Sequence, residues 1–157
     1  MLLDSLQFGS GGTCVLHYEE SEHWLYATWS GLIGDHEAMQ GALSYLDKVA
    51  THPSAFLLNN NLALNGPWFN SAEWLEHAWL PQAQRLGLRY IAHVVQADKG
   101  VDILTLASSH QLSGSLELQL FYDLAEAKDW LHSCRHQVAP PTTASYSFTG
   151  KAASSGS

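Results

Sequence analysis

The stretch FLLNNNLALNGPWFNSAEW, residues 56–74, decides the fold. It begins as an apolar run of the kind suited to a central strand. It then meets three asparagines, an Asn-Gly-Pro break and a cluster of aromatics, and Ser71 caps a following helix. A strand feeding a loop and then a helix is the unit of an alternating α/β chain.

The rest of the sequence fits that unit. Upstream, residues 14–18 (CVLHY) and 24–29 (WLYATW) read as two strands. The polar turn between them is short enough to imply an antiparallel hairpin. Asp35 is a candidate N-cap for a helix whose apolar positions are Met39, Ala42, Leu43, Leu46, Val49 and Ala50, and Pro53 ends it. Downstream of residue 71 the core stripe is Ala72, Leu75, Trp79, Ala83 and Leu86, with Gly87 as C-cap and Pro81 predicting a kink. Trp74 lies roughly 160° from that stripe at about 100° per residue, so an α-helical core does not account for it. Residues 88–95 (LRYIAHVV) form the strongest strand, and residues 101–107 a short helix. Residues 116–121 (LELQLF) alternate, as a strand near a sheet edge does. Asp123 and Glu126 have capping-box spacing, and Leu124, Ala127, Trp130, Leu131 and Cys134 give the last helix its apolar face.

The predicted order is β-β-α-β-α-β-α-β-α, a mixed five-stranded sheet covered by helices. Residues 1–12 read as a flexible lead-in, 13–136 as one domain and 137–157 as a Pro/Thr/Ser/Ala/Gly tail that buries too little surface to order.

Composition bounds the function. With 46% hydrophobic residues the chain can build a core. The formal charge is −8 with only seven Lys and Arg, so no basic stripe offers itself to nucleic acid or to an anionic membrane. No apolar run approaches the ~18 residues of a membrane span, and no basic segment with an apolar run opens the chain; a cytoplasmic protein is the expectation. Cys14 and Cys134 belong to no Cys-x-x-Cys pair and read as buried small hydrophobes, with a disulfide between them left open.

Several motifs follow one another in order: Trp24-Leu25-Tyr26, Trp29-x-Gly31, Leu57-Leu58-Asn59-Asn60-Asn61, Gly66-x-Trp68, Trp74, Trp79-x-Pro81, Gly87-Leu88-Arg89-Tyr90-x-Ala92-His93-Val94, and Phe121, Ala127, Trp130-Leu131. In this order they resemble the Bacteroidetes-type branch of the SpoIIAA-like STAS/SEC14 proteins, over roughly residues 13–132. The resemblance implies a STAS-like α/β fold and a non-catalytic regulatory or binding module without a cofactor. It places Ser71 roughly where anti-anti-sigma proteins carry a phosphorylatable residue. The Asp-Ser-Ser signature of that switch is absent here, and the loop is longer and aromatic.

The candidate ligand- or partner-binding residues are Asn59, Asn60, Asn61, Trp68, Phe69, Ser71 and Trp74, in the loop after the third strand. Ligands in open α/β sheets sit beyond the carboxyl ends of parallel strands. Amides there offer donors and acceptors, and aromatics can wall a pocket for a small apolar ligand or meet a protein partner. Against this stands the ordinary work of Asn in turns. Three further readings remain. Ser71 with His77 or His93, and Glu73 beside them, would make a small hydrolase- or transferase-like enzyme if the fold gathered them. Yet His93 in a central strand reads first as a satisfied core histidine. Trp68 and Trp74 would serve a homodimer interface. His132 and His136 have the i,i+4 spacing of a metal pair, but no acidic or Cys ligand stands near them in sequence, so no metal is assigned.

Overall fold

The computed structural model describes residues 1–65, 74–97 and 116–137. Six strands form one mixed sheet in sequence order: β1 (Leu2–Gln7), β2 (Thr13–Glu19), β3 (Trp24–Leu32), β4 (Phe56–Asn65), β5 (Tyr90–Val94) and β6 (Glu117–Phe121). The first two pairings are antiparallel and the last three parallel. Among the described residues three α-helices accompany the sheet: α1 (Asp35–Thr51), α2 (Leu80–Arg85) and α3 (Leu124–Cys134).

Strand alternation sorts the side chains into two cores. Leu25, Ala27 and Trp29 of β3, Leu57 of β4 and Ile91 of β5 face α1 and α2 in the larger core. Trp24, Phe56, Leu58, Ala92 and Val94 face α3, whose Ala127, Leu131 and Cys134 complete the smaller one. Two successive crossovers in the same direction leave α1 and α2 on one face; α3 follows the last strand and folds back over the other.

Several expectations change. The lead-in is largely a strand: β1 pairs with β2, so the sheet has six strands, not five. Asp4 of β1 accepts a hydrogen bond from Ser44 of α1, which ties this edge to the helix layer. The stripe of α1 is also rotated. Ala38, Gly41, Tyr45, Leu46 and Val49 are buried, while Leu43 is exposed. The reason is Trp29, whose ring packs where Gly41 has no side chain: a Cβ there would lie 2.2 Å from Trp29 Cη2. A tally of apolar residues passes over both the glycine and the tyrosine. At the start of α1 the N-cap is Gly34, whose N–H is accepted by Glu37 Oε1 at 3.0 Å. Asp123 caps α3 by position, without a side-chain bond to the helix backbone.

Pro81 acts on its helix through a change of ladder. Residues Leu75–Trp79 form a π-helical turn, closed by Leu80 N–H to the Leu75 carbonyl, and α2 follows. An α-helix here would ask Pro81 for an N–H toward His77, and proline has none. The ladder widens by one residue just ahead of it. In such a turn residues five apart share a face, so Trp74 comes to the side of Trp79. Trp74 is accordingly half-buried against the larger core, where α-helical geometry had left it unexplained.

Cys14 and Cys134 are both free thiols and lie in the two different cores, so the sheet separates them and no disulfide joins them. The expected helix at 101–107 and the tail from 138 onward lie outside the described residues, as do Trp68, Phe69, Ser71 and Glu73.

Candidate functional site

The three asparagines belong to β4 itself, since that strand runs on to Asn65. Alternation divides them. Asn59 and Asn61 are buried on the face of the larger core, and Asn60 points the other way. Asn60 does local work: its Nδ2 donates to Tyr26 Oη at 3.1 Å and its Oδ1 accepts Leu62 N–H at 3.0 Å. The second bond spans a bulge. From Thr28 to Ser30 β3 advances two residues, while β4 advances from Asn60 to Ala63, three. The extra residue shifts the alternation and puts Leu64 back into the core. Beyond the pairing with β5, Gln96 Nε2 donates to the carbonyls of Leu62 (2.7 Å) and Leu64 (3.1 Å) and holds this end of β4.

Asn59 and His93 are register partners on adjacent parallel strands, and their side chains meet. Trp29 Nε1 donates to Asn59 Oδ1 at 2.9 Å. An indole N–H can only donate, so it fixes the Asn59 amide with its oxygen toward Trp29. The Asn59 Nδ2 group then donates to His93 Nδ1 at 2.8 Å and to Asn61 Oδ1 at 3.1 Å. His93 Nδ1 must therefore be an unprotonated acceptor, and the neutral ring carries its proton on Nε2. Burial pulls the His93 pKa down to about 4, in agreement with a ring held neutral. His93 is a core histidine whose Nδ1 lone pair is already occupied.

This chain of side chains forms part of the wall of a cavity of about 70 Å³ between the sheet and the layer of α1, the π turn and α2. The rest of the lining is apolar, chiefly Leu16, Ala27, Leu57, Leu75, Leu80, Ile91 and Leu118, with the rings of Trp29, Tyr45 and Trp79. No lining side chain among the described residues is charged. Trp79 Nε1 is spent on the Ala42 carbonyl at 2.7 Å. Tyr45 is different. Among the described residues two buried side-chain polar atoms have no hydrogen-bond partner, Tyr45 Oη here and Trp24 Nε1 in the other core. Burial raises the Tyr45 pKa, so the phenol is neutral.

The described part of the expected loop, Asn59 to Asn61, belongs to β4, and the cavity lies in the layer beneath the sheet; Trp68, Phe69 and Ser71 lie outside the described residues. The six strands lie in sequence order without a reversal, so the sheet has no switch point to open a crevice at its strand ends. Of the expected residues, Asn59 lines the cavity, Asn61 supports it from beside His93, and Asn60 faces away. Trp74 packs on the same core without lining the cavity, and His77 is exposed. Sequence reasoning missed Tyr45 and Trp29. The signal for Tyr45 was its i+4 spacing from Gly41 on α1, which identifies a face once Trp29 is known to fill the glycine gap.

His132 is engaged elsewhere: its Nε2 lies 2.6 Å from Glu22 Oε1, which Arg135 Nη2 also reaches at 3.0 Å. His132 and then Arg135 lower the Glu22 pKa, and together they fasten the β2–β3 turn to the end of α3. Among the described residues no three His, Cys, Asp or Glu side chains gather as a metal site, and no helix is long and apolar enough to cross a membrane. The chain matches no protein-family model, no curated protein and no solved structure.

Proposed function

We propose that this protein is a non-catalytic binding module that holds a small apolar ligand in the cavity beneath its sheet. The observation that carries the reading is an apolar, uncharged cavity bordered by a fully oriented Trp29–Asn59–His93 chain. Native cores are packed with few voids larger than a water, so a space several waters in size asks for an occupant. The resemblance to SpoIIAA-like STAS/SEC14 proteins fits the same reading and adds a regulatory role, in which occupancy would alter how the module meets a partner in the cytoplasm. The enzyme reading with Ser71 and His93 is less well supported, because His93 Nδ1 is capped by an amide and its ring resists protonation.

The test is made on protein purified from its own cells. Native mass spectrometry is combined with headspace gas chromatography of the same sample after denaturation, which captures a volatile occupant. One small molecule in near-stoichiometric amount is the expected result. Protein bare by both measurements would remove the ligand reading.

A further inference from the structure

We infer that the ligand is a neutral molecule, smaller than benzene, with an acceptor oxygen that receives the Tyr45 hydroxyl; this rests on the cavity being a binding site. Three observations define that chemistry. First, size: about 70 Å³ is several times the ~10–15 Å³ needed for one water, and about half of a ~150 Å³ cavity known to take benzene. Second, charge: the described lining offers no ionised group, so an ion entering it would lose its hydration without compensation. Third, the count of polar handles. Trp29 Nε1 is spent on Asn59, Trp79 Nε1 on the Ala42 carbonyl, and both Asn59 amide hydrogens on His93 and Asn61. Among the described residues, Tyr45 Oη is the one buried side-chain polar atom on this side of the sheet without a partner. A buried hydroxyl without a partner carries a desolvation cost that an acceptor would relieve. One handle matches one oxygen, and the surrounding side chains match a hydrocarbon body.

Oxetane and cyclobutane are suitable probes, since both are smaller than benzene and the rings are alike except for an oxygen in place of a methylene. Each is titrated into the full chain and into Tyr45→Phe, with the indole N–H resonances of Trp29 and Trp79 as the readout. Preserved dispersion of those resonances shows that the variant keeps its fold. The expected result is that Tyr45→Phe weakens oxetane about tenfold and leaves cyclobutane unchanged or slightly tighter. If the variant weakens both probes equally, or neither, the acceptor assignment is wrong although the cavity still binds. If neither probe moves the Trp29 or Trp79 resonances of the unaltered chain, the binding reading falls with it.

Discussion

At the residue scale, His93 shows how a polar group can sit in a core. Its ring is buried and neutral because a chain of donors starting at the Trp29 indole reaches its Nδ1 already committed. A core position for His93 was legible in the sequence, because residues 88–95 read plainly as a strand. Its partner was not, since pairing Asn59 with His93 needs the register of two parallel strands, which single-strand patterns do not carry. The three asparagines were read as loop for a similar reason: consecutive amides resemble a turn, and the pairing of Asn59 and Asn60 on both sides is what carries β4 through them. The neutral ring has a consequence for stability. The unfolded chain binds a proton near the ordinary histidine pKa of about 6.5, whereas the folded chain waits until about 4. Above about pH 6.5 the residue makes no pH-dependent contribution. As pH falls toward about 4 the unfolded state gains protons first, so stability drops, by up to about 3 kcal/mol at ~1.4 kcal/mol per pH unit. Urea unfolding at pH 7 and at pH 4.5 should show that loss, and His93→Gln should remove most of it. An equal pH slope in the variant would assign the loss to other groups.

At the element scale, the helix before β5 separates what a pattern can give from what it cannot. Gly87 was readable as a helix end. It has φ +110°, and the Schellman bonds are in place: Leu88 N–H to the Ala83 carbonyl at 3.0 Å and Gly87 N–H to the Gln84 carbonyl at 3.1 Å. Pro81 was readable as a disturbance but not as a π turn, because proline says which hydrogen bond is lost and not which one replaces it. The face of Trp74 followed from that choice, and so did the error in placing it. A similar limit applied to β1, whose short polar-apolar mix pairs only because β2 offers it an edge. Gly87→Ala isolates the backbone term. A Cβ there meets nothing within 4 Å, so the cost is that of holding an L-residue at positive φ, about 1–2 kcal/mol. Urea unfolding should show a lower midpoint at unchanged slope; an unchanged midpoint would mean that the turn relaxes to another conformation.

At the scale of the whole molecule, one sheet divides two unequal cores, and each contains one of the two cysteines. Among the described residues, Cys14 belongs to a core of twenty buried residues drawn from five strands, α1 and α2, while Cys134 belongs to one of eight, under the single helix α3. Burial, and then the nearby Asp4 carboxylate, pushes the Cys14 thiol up to about 12, and burial also raises Cys134. Neither thiolate is available at neutral pH in the closed structure, so a thiol reagent reports opening of the core around it. Exposing Cys134 requires only that α3 lift from the sheet, whereas exposing Cys14 requires the antiparallel edge or α1 to part from it. Opening free energy follows the apolar surface that must be exposed, and the smaller core holds less of it. Cys134 should therefore be modified at least about tenfold faster than Cys14 under native conditions, followed by mass spectrometry of the labelled peptides. In guanidinium both should react at once. Equal native rates would show that both faces of the sheet open as one cooperative unit, with α3 held as firmly as α1. In that case the Glu22 clamp to His132 and Arg135 would be the place to look, because it joins the end of α3 to the β2–β3 turn.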